Sequence, residues 1–555
     1  MKKAIFIIFF VTGFCSSKIG FSQNTWIWAN MIKGNNHTSG YDIAIDTNNN
    51  IYVVGAFNDT VTFGNQTEGG FCHPCHSGYI LKYTPDGAIS WVKVFKSPYS
   101  NFVQDIVIDN NNDIIISGIF QSMLWFDTDT LNSVYPSSAF LAKLNTDGDF
   151  IWVEQGDDTT EISVVALATD NMNNIYLAGN SSTPAFFGNL ASEGSGAYIV
   201  KYNANGSPSK IISEKGYQIR TLNINNNYDF FISGILEDTL LIGNDTLAPY
   251  DYYDYYYSDT DTDTVHIISP DLLFLRHDST GNNIWHKSAK SRGLYDYTTA
   301  AVLDENSNFY LAGKAEDSTD FWGTTLPDFF SYQAGFSFLV KIDSVGNVIW
   351  LEYGTPISSS GRIFFNDIFY KNGFLYTVGF PWYQSLFCDL YFNNTGIYRN
   401  TFLFKLDTAG NGLWIESDTT NLYTNGPSGI SVDSDNNIII IGGMQGPVHF
   451  GEFNLINTNL DDVNFYIAKM DSISVGINEL TENEITVFPN PTSRTLTIKE
   501  GKFYNLKLFN TFGQTVAEAS NANQLNVSSI ANGLFLLQIF DKKGALLKTE
   551  KVVKE

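Results

Sequence analysis

One short phrase, an apolar run ending in glycine, recurs seven times along this 555-residue chain. It reads IYVVG to Gly55, IIISG to Gly118, IYLAG to Gly179, FFISG to Gly234, FYLAG to Gly313, LYTVG to Gly379 and IIIIG to Gly442. Repetition of this kind marks a small unit that cannot bury its apolar face alone and must stack on copies of itself. The glycines lie about 55 to 79 residues apart, beyond the ~40–50 residues of common blade repeats, so the units carry enlarged loops. Eight residues after the glycine stands a large apolar residue: Phe63, Phe126, Phe187, Ile242, Phe387 or Phe450. The fifth unit is read as placing Trp322 there, one residue later.

A second phrase follows in each unit, as in YILKYTPDGAISW. Its basic residue recurs as Lys82, Lys143, Lys201, Arg276, Lys341, Lys405 and Lys469. Five positions on comes a glycine (Gly87, Gly148, Gly206, Gly281, Gly346, Gly410), and four further a tryptophan (Trp91, Trp152, Trp285, Trp350, Trp414), with Lys210 in its place in the third unit. Each unit therefore reads as four short antiparallel strands, with an Asp/Asn turn such as Asp46–Asn50 between the first two. The seventh unit reaches Lys469 and has no tryptophan strand, whereas Thr25-Trp26-Ile27-Trp28, at the start of the expected mature chain, has no partner in its own unit. An N-terminal strand over 24–32 completing the last blade closes a ring and removes its open edge. The expected fold is all-β: a seven-bladed β-propeller over 23–475, then a small C-terminal β-sandwich, Ig-like.

Both ends carry addresses. Lys2 and Lys3 precede an apolar stretch, Ala4 to Gly13, too short to span a bilayer. Small residues at Gly20 and Ser22 predict a signal peptide over 1–22, and no later apolar segment anchors the mature chain. After a polar linker at 476–484, the phrase Val487-Phe488-Pro489-Asn490-Pro491 opens a compositionally distinct segment. It continues through Leu508-Phe509-Asn510 with Gly513-Gln514, Ile530 to Phe535 around Gly533, and a Lys-rich end, Lys548 to Lys554. Alternation at Leu506-Leu508 and Leu534-Leu536 suits strands with one buried face. Residues 485–555 closely resemble the type A sorting domain of the Bacteroidota type IX secretion system. The resemblance implies recognition by the outer-membrane translocon, removal by its sorting protease, and release or attachment at the cell surface. The repeats themselves resemble those of secreted bacterial β-propellers, which implies a fold and no function.

Charge divides the chain the same way. The C-terminal segment is nearly neutral, and residues 23–478 carry 20 Lys/Arg against 50 Asp/Glu. Such acidity disfavours nucleic acid and anionic membrane and leaves glycans, cations or other proteins as surface ligands.

Three candidates for chemistry stand out. Cys72-His73-Pro74-Cys75-His76 matches the attachment pattern for c-type haem, through Cys72, Cys75 and His76. A local disulfide or plain loop is the preferred reading, with covalent haem or a Cys/His metal site as alternatives. Tyr250, Asp251, Tyr252, Tyr253, Asp254 and Tyr255 begin a Tyr/Asp insertion in the fourth unit, read as a surface loop able to contact glycan or a cation. The Asp/Asn turns resemble calcium loops in composition, but Asp and Asn also bond their own backbone in tight turns, and that reading is preferred. No catalytic motif appears and no cofactor is expected. The functional expectation is a non-enzymatic binding or adhesion module; a polysaccharide- or peptide-processing enzyme and a haem-bearing redox protein are the alternatives.

Overall fold

In a computed structural model of the chain, the seven glycine-ended phrases lie on the second strands of seven antiparallel sheets, five of four strands and two extended to six by added ribbon strands. The structure describes residues 25–471 and 487–555, apart from 71–74, 128, 159–160, 258–261, 292–295, 317, 328–335, 357–361, 384, 389, 393–399, 418–423, 499–503, 511–513 and 541–545. The chain divides into two compact units, 1–473 and 474–555.

Six sheets of the first unit are consecutive in sequence, as in Thr38–Ile45, Ile51–Asn58, His76–Tyr83 and Ile89–Val94. The seventh takes its fourth strand from the other end of the chain. Trp26–Asn35 pairs antiparallel with Asn464–Met470, and Trp28 stands opposite Lys469. The other tryptophans face their basic residues in the same way, Trp91 opposite Lys82 and Trp350 opposite Lys341. First strands lie against first strands from sheet to sheet, and that of the seventh lies against that of the first. The arrangement is propeller-like. Its apolar interior is divided among clusters that each join two neighbouring sheets, such as Ile439, Ile441 and Phe465 with Ile51, Val53 and Tyr79.

The repeated basic residue, turn glycine and tryptophan form one inter-sheet clamp. Trp285 Nε1 donates to Ser344 O of the next sheet at 3.0 Å, and the Arg276 guanidinium donates to the same carbonyl. Lys341 and Trp350 share Thr408 O at 3.0 and 3.1 Å, and Lys82 and Trp91 share Thr146 O at 2.8 and 3.2 Å. The closing pair does the same, with Lys469 and Trp28 on Pro85 O at 3.1 and 3.3 Å. The turn glycine lies beneath the indole. Gly346 has φ +92, and a Cβ on it would stand 3.1 Å from the Trp285 ring, so both conformation and space call for glycine. Trp414 Nε1 is buried without a hydrogen-bond partner. In its sheet's successor two distant segments meet in place of the corresponding turn, and Asp471 N donates to Thr25 O at 2.9 Å.

The enlarged loops after the second strands form two-stranded ribbons that reach the preceding sheet. Ala185–Phe187 pairs with Phe150–Asp158, and Thr60–Phe63 with the far end of Trp26–Asn35. They cover part of an otherwise open outer edge and insert the apolar residue eight places after each glycine, among them Phe63, Phe187 and Phe450, all buried. In the fifth unit this residue is Phe321, fully buried, whereas Trp322 is only half-buried. The fifth ribbon therefore keeps the common spacing, and the larger indole is not the inserted side chain.

In the second unit, the three-stranded sheet of Val487–Phe488, Thr495–Ile498 and Gln524–Asn526 shares one core with a four-stranded sheet. The latter comprises Thr515–Ala522, Tyr504–Phe509, Gly533–Phe540 and Leu546–Lys554. Leu506 and Leu508 are buried as alternation suggests, but Leu534 and Leu536 are exposed. Gly533–Phe540 is apolar on both faces, and Phe535, Leu537 and Ile539 are the side chains that enter the core.

Trp285→Ala removes the ring from Gly346 and one donor from Ser344 O, and is expected to cost about 3–5 kcal/mol. Chemical denaturation checks this; a loss under about 1 kcal/mol would contradict the clamp.

Candidate functional site

The glycine that ends each second strand faces a bulge. In the first strands the pairing register slips by one residue at Tyr41, Gln104, Val165, Arg220, Thr299, Asn366 and Ser428. The glycine stands opposite the residue just before the slip, as Gly118 opposite Val103. A Cβ on Gly118 would overlap Phe102 O, and one on Gly234 would overlap Gln218 O. A bulge leaves its extra residue off the ladder and re-aims its side chain, here on the innermost strands. Tyr41, Gln104, Val165 and Arg220 line one cleft of about 1240 Å³. Thr299 and Asn366 line a second of about 350 Å³.

The larger cleft opens where the first strands begin, and both charge signs line it. Lys215 and Arg220 are its cations, and Glu161, Glu237 and Asp238 its carboxylates, all exposed. Among the described residues the Arg220 guanidinium has no ion pair or hydrogen bond. Gln104 Oε1 and Ser181 Oγ are buried in the lining without a hydrogen-bond partner. Burial pushes the Tyr41 phenol up to about 12, so it stays a neutral donor. Beneath the cleft, buried Tyr217 bonds the Glu214 carboxyl, which lies 3.8 Å from His277 Nε2. Burial raises Glu214 and lowers His277 to about 4, so this imidazole is neutral at pH 7.

Three carboxyls follow the bulges at the hub. Asp42 Oδ2 accepts Ile106 N at 2.9 Å, Asp105 Oδ2 accepts Leu167 N at 2.6 Å, and Asp367 Oδ2 accepts Ile430 N at 2.9 Å. Each ties one first strand to the next. Burial and the negative charge of Asp42 hold Asp105 well above the usual carboxylate range, and Asp105 hydrogen-bonds Asp42. Burial, with Asp42 adding to it, pushes Asp367 up to about 7.

The candidates singled out in the sequence lie elsewhere. Cys75 is held in a disulfide, and a sulfur so held cannot form a haem thioether; Cys72 lies outside the described residues. His76 opens a third strand, its ring 4.8 Å from Phe102 and 6.4 Å from His37, and burial with the nearby His37 lowers its pKa. The Tyr/Asp insertion is a paired hairpin, not a loop: Tyr250–Tyr257 pairs with Thr262–Ser269, setting Tyr252 opposite Ile267 and Asp254 opposite Val265. Dense tyrosine and threonine favour strand there. The Asp/Asn turns spend their oxygens on local donors. Asp46 Oδ1 accepts Asn48 N and Asn50 N at 2.9 Å each, and Oδ2 accepts Asn50 Nδ2 at 2.8 Å and Tyr52 OH at 3.0 Å. Among the described residues, no three His, Cys, Asp or Glu side chains are grouped to hold a metal ion.

In the C-terminal unit, Asn490 binds the last strand through Lys551 O at 2.5 Å and Val553 N at 2.9 Å. Thr492 N, after Pro491, donates to Val553 O at 2.8 Å. The Pro489-Asn490-Pro491 phrase and the Lys-rich end are thus one structural element. Gly533 opens the strand beside it, opposite Lys554; Gly513 lies outside the described residues.

A family model of the secretion system C-terminal sorting domain matches residues 486–555, and a β-propeller repeat model matches 33–56. The chain is a β-propeller repeat protein with a C-terminal type IX secretion sorting domain. That domain marks the propeller for export across the outer membrane to the cell surface or beyond, through contact with the secretion machinery. No helix among the described residues is long and apolar enough to cross a membrane. An uncharacterized WD repeat-containing protein of Acanthamoeba polyphaga mimivirus is 27% identical over 191 residues, 32% of this chain. The match spans only 13% of that viral protein. Among solved structures, virginiamycin B lyase from Staphylococcus aureus is 9% identical, with 79% of this chain and 98% of that one covered at a TM-score of 0.39. A protein of unknown function from Bacteroides caccae is 10% identical, with 57% and 82% covered at 0.31.

Asp367 binds its proton more tightly folded than unfolded. Its contribution to stability is therefore full below about pH 4 and lost as pH rises through about 7. Asp367→Asn should flatten melting temperature against pH across that window; an unchanged slope contradicts the assignment. Asn490→Ala removes two backbone partners of the last strand and should cost the sorting domain about 1–3 kcal/mol, read as its melting and as exported yield.

Proposed function

We propose that the seven sheets are the blades of a closed seven-bladed propeller, and that the chain is an exported, non-enzymatic binding or adhesion module whose ligand enters the larger axial cleft. Ring closure is supported by the neighbour relation of the first strands and by Trp28 and Lys469 reaching the first sheet. In this reading 1–22 is removed as a signal peptide, the propeller spans 23–475, 476–484 is a linker, and the sorting protease removes 485–555, a small Ig-like sandwich.

One observation carries the binding reading. Around one cleft, Gln104 Oε1 and Ser181 Oγ are buried without a hydrogen-bond partner, and the exposed Arg220 guanidinium beside them has no ion pair or hydrogen bond among the described residues. Leaving buried polar atoms unpaired costs about 1–3 kcal/mol each, a cost that a polar ligand offsets on binding. The mixed hydroxyl, amide and carboxylate lining fits a glycan better than an apolar molecule.

Screening the mature protein on a glycan array, followed by analysis of the bound sugars, tests this. Retention without turnover, weakened about tenfold or more by Gln104→Leu, is expected. Cleavage of the glycan would replace the reading with that of a processing enzyme.

A further inference from the structure

Resting on that binding reading, we infer that the cleft takes an acidic oligosaccharide, a glycan carrying isolated carboxylates, with Arg220 receiving the carboxylate.

Arg220 is the bulge residue of the fourth sheet, so its backbone is fixed by the slip between Ile219 and Thr221 against the second strand. The basic residues of the repeats are mostly tied down: Lys143 to Asp109 at 2.7 Å, Lys469 to Asp433 at 2.8 Å, Arg276 to Asp229 at 2.6 Å. Arg220 has no such partner among the described residues, though it lies within electrostatic range of Tyr297. A planar guanidinium exposed in the cleft lining and left unpaired suits a carboxylate, which it can hold by two parallel hydrogen bonds. Ser181, only 7% exposed, adds an unpartnered hydroxyl to the lining, and Gln104 an unpartnered carbonyl oxygen. Both are partners for sugar hydroxyls.

The remaining charges limit what kind of anion fits. Glu161, Glu237 and Asp238 share the lining, and Glu237 already accepts Gln218 Nε2 at 2.8 Å. Carboxylates at the rim accept hydroxyls but repel a densely charged polymer. Residues 23–478 also carry 30 more acidic than basic residues, which opposes any polyanion at long range. A sugar chain with carboxylates spaced between neutral residues satisfies both conditions. Half-buried Tyr41, from the bulge of the first sheet, offers a ring for the sugar's C–H face.

The test uses the mature protein and an array of oligosaccharides containing glucuronic, galacturonic or mannuronic acid, each beside its carboxyl-reduced counterpart. The tightest acid form is then titrated calorimetrically against wild type, Arg220→Gln and Arg220→Lys. The acid form should bind ten- to a hundredfold more tightly than its reduced counterpart, about the range of a charge-assisted pair. Arg220→Gln should erase that preference while leaving affinity for the reduced form within about twofold, and Arg220→Lys should keep part of it. Because the guanidinium has no partner, Arg220→Gln should melt as wild type does. If Arg220→Gln keeps the preference, or acid and reduced forms bind alike with Gln104→Leu weakening both, the inference is overturned and the binding reading stands. Retention of no glycan at all overturns both.

Discussion

The fold rests on a close approach of backbone to backbone. In each sheet a carbonyl of the first strand presses on the second strand where only glycine leaves room, as Phe102 O does on Gly118. That approach accommodates one extra residue in the first strand, and the extra residue is thrown off the ladder toward the axis. The same contact therefore shapes the sheet and supplies the side chains of the cleft. It explains why the glycine recurs where the apolar residues before it vary freely among Val, Ile, Leu, Phe and Ala.

Holding the sheets together is a second, separate device. In the first, fourth, fifth and seventh sheets the Lys or Arg and the Trp converge on a single carbonyl of the next, above a glycine that brings the turn up to the indole. Because the clamp always points forward, it needs a next sheet, and the N-terminal strand lets the seventh point to the first. Trp414 shows the consequence of interrupting the pattern. Where the pairing of Asp471 with Thr25 stands in place of a turn, its indole N–H is left without an acceptor.

Much of the scaffold was legible because it repeats. Lys82, Gly87 and Trp91 keep their spacing through the chain, and an unpaired Trp28 at one end answered a missing strand at the other. The cleft was not legible in the same way. Tyr41, Gln104, Val165 and Arg220 differ in every unit, so repetition hides them, and strand alternation fails at the bulge that exposes them. The signal was nonetheless present: each lies one residue past the partner of a recurring glycine. Cys72–His76 and Tyr250–Tyr255 attracted notice as departures from the repeat. Both come after second strands in the sequence, and Tyr250–Tyr257 is used as one arm of a hairpin. The Leu534-Leu536 alternation misled because its strand is apolar on both faces, and only burial of Ile539 beside Gln538 fixes the parity.

On the proposed reading, an acidic exported propeller with an unpaired arginine in its larger cleft draws its specificity from a few non-repeating side chains on a repeating frame. Hydrogen–deuterium exchange of the mature protein, with and without a retained glycan, tests this most directly. The account predicts added protection at the first strands around 101–105 and 217–221, with the 250–269 hairpin unchanged. Protection confined to that hairpin, or to the outer ribbons, would contradict it.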